Sequence, residues 1–141
     1  MRWLPYAATA AFSLAFADLF IKLASDKISS SLGGLVYGAT TFLAALAWVG
    51  YHRATGQAFL FTPAGFGYAL GVGIAFSGVT FFLYLAFSSG ASVSVGSPAI
   101  RITAIFLTSL LGILVLREPF TLRYALGVIL ALGGIALIVF R

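Results

Sequence analysis

The sequence predicts an all-α integral membrane protein of five transmembrane helices, and three observations carry that prediction. Its mean hydropathy is +1.12 and 62% of its residues are hydrophobic. Only 8% are charged, against about 25% in soluble domains. Finally, the apolar residues fall into five runs, each near the ~20 residues a helix needs to cross a ~30 Å hydrocarbon core. The connectors between runs are short, so no separate soluble domain is expected within residues 1–141.

The first span is expected over residues 3–24. Met1-Arg2 before an apolar stretch imitates a signal peptide, but the stretch is long and ends in Asp18 and Lys22 instead of a small-residue cleavage site. It reads as an uncleaved helix. After Asp26, Lys27 and Ser29 to Ser31 comes a second span over 32–51, closed by His52-Arg53-Ala54-Thr55-Gly56-Gln57. Phe59 to Thr62 is expected at the interface, and Pro63 starts the third span, 64–87. There Gly71 and Ala75 form a small-xxx-small pair suited to close helix approach.

The fourth span covers 93–116 and contains Pro98 and Arg101. The hinge Arg117-Glu118-Pro119-Phe120-Thr121 leads into the fifth, 122–140, where Gly127 with Ala131 and Leu130 with Gly134 place small residues for packing. Trp48 and Tyr124, near span ends, read as interface anchors.

Composition excludes several classes of function. Zero cysteines remove disulfides and thiolate chemistry, and a single histidine leaves no histidine metal site within one chain. Lys and Arg stand singly at span ends, which indicates the membrane interface and not nucleic acid. No carboxylate pair, nucleophile–base set or metal cluster can be assembled, so an enzyme is not expected, and no cofactor or metal is implied. Five spans put Arg2, Arg53, Arg117 and Arg123 on one side and Lys22, Lys27 and Arg141 on the other. Four against three is a slight cytoplasmic preference for the first side, and it permits insertion both ways round.

The chemistry falls on few groups. Arg101 lies eight residues into span four, roughly 12 Å deep at 1.5 Å per residue. A charge there costs at least ~2.5 kcal/mol and faces a partner or a wet cavity. Two roles stay open: an ion pair with Asp18 that holds two helices together, or a cavity wall that receives an anionic substrate. For Asp18, with Lys22 at i+4, the structural role is favoured. Pro98 behind Ser97 removes a backbone hydrogen bond; Ser92, Ser94, Ser97 and Thr103 are candidates to re-satisfy it, and a kinked helix without substrate contact is the alternative. Tyr37 and Tyr84 are candidate cavity residues. Glu118 reads as a surface carboxylate paired with Arg117 or Arg123 near the positive start of span five.

Taken together, Leu83-Tyr84-Leu85-Ala86-Phe87, Gly90-Ala91-Ser92, Ser97-Pro98, Leu116-Arg117-Glu118-Pro119, Gly127 and Gly133-Gly134, with Lys22 near the end of span one, resemble the EamA domain of the drug/metabolite transporter superfamily. The resemblance covers nearly the whole chain, and departs from the family pattern at Leu14-Ala15, where a Trp-Gly pair is common. Family members mostly carry two such five-helix units as an inverted repeat around a central cavity. The resemblance therefore implies a ten-helix homodimer, antiparallel if topology is dual, in the inner (cell) membrane. With it, the expected function is a secondary transporter, exporter or exchanger of a small polar metabolite by alternating access; from the polar groups read above, Arg101, Ser97, Pro98, Tyr84 and Tyr37 are the expected substrate-binding residues and Asp18 and Lys22 an ion pair or coupling site. The alternatives are a subunit moving lipid-linked sugars and a non-transporting membrane scaffold.

Overall fold

The computed structural model describes residues 3–139. Five helices follow one another: α1 Leu4–Ser25, α2 Ser30–Ala54, α3 Pro63–Ser88, α4 Val93–Leu114 and α5 Leu122–Val139. Among the described residues there is no strand. The shortest helix has 18 residues and the longest 26, or about 27 to 39 Å at 1.5 Å per residue. All five are long and apolar enough to cross a membrane. Arg2, Arg141 and the expected end of span five at Phe140 lie outside the described residues.

Caps explain where the helices start and stop. Ser29 accepts a hydrogen bond from the Leu32 N–H at 3.4 Å, so α2 begins two residues before the apolar run suggests. Thr62 accepts from the Gly65 N–H at 3.1 Å with Pro63 in the first turn, an arrangement that suits proline's missing donor. Gly56 and Gly90 turn the chain out of α2 and α3 with φ of 69° and 99°, values glycine adopts without steric cost. Arg117 performs the same turn after α4 at φ 55°. With that turn α4 ends at Leu114, two residues before the expected 116, and the Glu118 N–H reaches back 3.1 Å to the Gly112 carbonyl.

The chain divides into two compact units, one up to Ser89 and one from Gly90 onward. In the first, α3 packs on both α1 and α2. Its inward residues Thr80, Leu83, Tyr84 and Phe87 are all buried, and their spacing of three, four and seven places them on one face. Asp18 and Ser25 of α1 and Gly33 of α2 are buried as well. The Tyr84 ring lies directly on the Gly33 backbone: a Cβ there would stand 2.5 Å from its Cζ. Phe81 sits on Gly34 in the same way. In the second unit α4 packs on α5, and no described residue of α5 is buried.

Close helix approach thus occurs at Gly33 and Gly34. At Gly71, where it was expected, a Cβ would meet nothing within 4 Å, and the same holds at Gly127 and Gly134. Most remaining apolar side chains are exposed, as lipid-facing spans require. Hydroxyls on these faces fold back: Thr9, Ser13, Thr40, Ser77, Thr103 and Ser109 each donate to a carbonyl three or four residues earlier.

A substitution at the α2–α3 contact should separate the two kinds of glycine. Gly33→Val drives a side chain into the Tyr84 ring and is expected to destabilise by about 1–3 kcal/mol, the usual cost of overpacking. Gly38→Ala, facing open space, is expected to stay within about 0.5 kcal/mol of the parent. Unfolding of the two variants in detergent micelles measures the difference, and equal midpoints would contradict the assigned contact.

Candidate functional site

The polar residues singled out in span four lie along the first half of α4. Ser97 and Arg101, four residues apart, share a face, and Ser94 stands on the same side one turn earlier. Arg101 is half-buried and Ser97 is buried, with 9% of its surface exposed. Pro98 sits inside the helix. It has no N–H to give the Ser94 carbonyl, four residues back.

The neighbouring hydroxyls do not replace that donor. Ser92 and Ser94 hydroxyls face each other at 3.5 Å, and Thr103 donates to the Ala99 carbonyl at 2.9 Å. The Ser97 hydroxyl is buried and hydrogen-bonded to nothing among the described residues, which costs about 1–3 kcal/mol. Thr103 and Ser109 of α4 donate to carbonyls four residues back; the Ser97 hydroxyl is left open one turn from an arginine and beside a proline. Such an arrangement leaves the Ser97 hydroxyl, as donor and acceptor, and the Ser94 carbonyl open one turn from Arg101.

Asp18 is buried in α1, with 4% of its surface exposed. Lys22, a turn further on, donates from Nζ to the Phe87 carbonyl at 2.9 Å, and lies 3.8 Å from Asp26, whose side chain is 65% exposed. Phe87 belongs to the last turn of α3, whose carbonyls lack intrahelical donors. A cation there also meets the negative end of the α3 dipole. Lys22 therefore ties α1 to the end of α3.

The two tyrosines have different surroundings. Tyr84 is buried on Gly33. Tyr37 opens onto a groove of about 500 Å³ between α2 and α3, walled by Gly38, Thr41, Gly73, Phe76 and Ser77 among others. Glu118, expected in a surface ion pair, makes none with Arg117 or Arg123. Its carboxylate lies over Gly112, where a Cβ would stand 2.8 Å from Oε2. The close contacts fall at Gly33, Gly34 and Gly112, where no sequence expectation was placed; the adjacent pair Gly33-Gly34 is the local signal for the first of them.

Five apolar helices with short connectors and polar groups confined to a few helix faces define a multi-pass membrane protein; among the described residues no group of three side chains could hold a metal ion. The sequence model of the EamA-like transporter family matches residues 1–140. The chain belongs to that family, whose members are membrane transporters of the drug/metabolite superfamily. No curated protein and no solved structure matches it.

The two contacts of Lys22 should differ in weight. An exposed pair such as Lys22–Asp26 is worth roughly 0–1 kcal/mol, whereas a hydrogen bond from a charged group contributes about 1.5–3 kcal/mol. Lys22→Met is expected to lower stability by about 1.5–3 kcal/mol and Asp26→Asn by less than about 0.5 kcal/mol, as read by thermal unfolding in micelles. Equal losses would show that the ion pair at the end of α1, and not the Phe87 bond, carries what Lys22 contributes.

Proposed function

We propose that the chain is a secondary transporter, an exporter or exchanger of a small polar metabolite, working by alternating access as a homodimer in the inner membrane. Near-balanced interface charge supports the antiparallel form of that dimer. Substrate binds along α4: Arg101 receives an anionic group through its planar donors, and Ser97 completes the contact. Pro98 keeps the backbone open there, as the broken helices of inverted-repeat transporters do at their midplane sites. Tyr37 and Tyr84 belong to the substrate-responsive set, Tyr84 through its seat on Gly33. Asp18 and Lys22 form the ion-pair or coupling part of the site.

The observation that carries this reading is the buried, unpartnered Ser97 hydroxyl one turn from Arg101. A packing element would close its hydrogen bonds, as Thr103 and Ser109 of α4 do; a binding element keeps one for its ligand. The lipid-linked-sugar reading has one observation of its own, the open groove between α2 and α3. That groove carries no charged side chain, so it does not supply the phosphate contact such a substrate requires.

Ser97→Ala and Arg101→Ala test the proposal in opposite ways. Removing an unsatisfied buried hydroxyl is expected to raise unfolding stability by about 1 kcal/mol while lowering transport about tenfold, the equivalent of one lost hydrogen bond. Arg101→Ala is expected to abolish transport with membrane insertion and the dimer intact. Export is read as the change in metabolite distribution between cells and medium on expression, and assembly by cross-linking. A Ser97→Ala protein that is less stable, or an Arg101→Ala protein that loses its dimer, would make α4 a packing element instead.

A further inference from the structure

The groove between α2 and α3 points along α2 to a basic, aromatic end. Gly38, Thr41 and Ala45 wall it, and Trp48 and His52 follow on the same face at steps of three and four residues. The His52 ring stands 5.2 Å from that of Trp48 and 6.1 Å from that of Tyr51. Arg53, beside them, is exposed. Between Lys27 and Arg117 the chain has no Asp or Glu.

We propose that this surface binds an anionic phospholipid, with an acyl chain in the groove and the headgroup phosphate held by Arg53 and His52. The dimensions favour a chain of methylenes. About 500 Å³ spread over the eight-residue rise from Tyr37 to Ala45, roughly 12 Å, gives a mean cross-section near 40 Å². A helix about 10 Å across has about twice that cross-section, so the groove can take one acyl chain along its length but not a whole helix. The lining is mainly apolar: Gly38, Phe42, Ala45, Val72, Gly73 and Phe76 outnumber Tyr37, Thr41 and Ser77, and the Ser77 hydroxyl already donates to the Gly73 carbonyl at 2.8 Å. The exposed Trp48 and Tyr51 sit where aromatic belts meet headgroups, and the local charge is purely basic. From Ala45 to His52 the helix rises about 10 Å, which carries the ligand from hydrocarbon to the interface. This inference does not rest on the α4 site of the transport reading, and where it holds Tyr37 faces lipid and not substrate.

The test is native mass spectrometry of the full chain in detergent, after incubation with equal amounts of palmitoyl-oleoyl phosphatidylglycerol and phosphatidylcholine. The parent protein should retain phosphatidylglycerol about fivefold over phosphatidylcholine, the preference expected of one basic residue at a membrane surface. Arg53→Gln, at an exposed position, should bring the ratio close to one. Gly38→Leu, whose side chain enters open groove space, should lower retention of both lipids. Equal retention by the parent, an unchanged ratio in Arg53→Gln, or a Gly38→Leu change in oligomeric state with lipid retention preserved would each overturn the proposal, the last by placing a second copy in the groove.

Discussion

The contact on which the first unit depends is the Tyr84 ring seated on the Gly33 backbone, with Phe81 on Gly34 beside it. Inside a bilayer, hydrocarbon surrounds the helices on every side, so burial of apolar surface does not by itself pull them together. What remains is van der Waals contact at short range and polar bonds that lipid cannot offer. Two adjacent glycines let α3 lay flat rings against α2, and Lys22 bonds the last turn of α3 from the other flank. The buried residues Thr80, Leu83, Tyr84 and Phe87 all belong to the half of α3 that these contacts hold. Toward its N-terminus, Gly73 and Gly71 touch nothing and the groove opens.

The second unit is organised by a different rule. In lipid each backbone and hydroxyl donor must find an acceptor close by, and on these helices most hydroxyls do so within their own turn. Pro98 and Ser97 break that rule together: one removes a donor from the ladder, and the other leaves a hydroxyl unused within a turn of Arg101. Two adjacent departures on the face that carries a span's only charge are hard to attribute to packing, where each costs stability without return. On the binding role proposed for α4, both acquire a cause.

Much of this was legible in the sequence. Five spans follow from hydropathy and length alone, and their ends shift by at most three residues where a cap or an αL turn decides. Span two begins early because Ser29 caps it, and span four ends early because Arg117 adopts φ 55°. The polar groups of span four were legible too, since any arginine or proline in hydrocarbon is conspicuous. Which glycines approach a neighbour was not. Gly33, Gly71 and Gly127 look alike in a string of letters, and only the rotation of each helix about its axis decides that Tyr84 falls on the first. The second contact of Lys22 was equally hidden, because a backbone carbonyl 65 residues away leaves no trace in local spacing.

The turn after α4 narrows the possible coupling chemistry. Its backbone is held by Arg117 in the left-handed region, at a cost of about 1–2 kcal/mol for a non-glycine residue, and by the Glu118 N–H on the Gly112 carbonyl. The Glu118 carboxylate then lies over Gly112, a position that only glycine leaves open. Glu118 is exposed and outside both helices, and Asp26 is exposed beyond the end of α1. The chain has three acidic residues in all, so Asp18 is the one carboxylate buried within a span. In the transport cycle proposed above, coupling through an acidic side chain of this chain would have to run through Asp18.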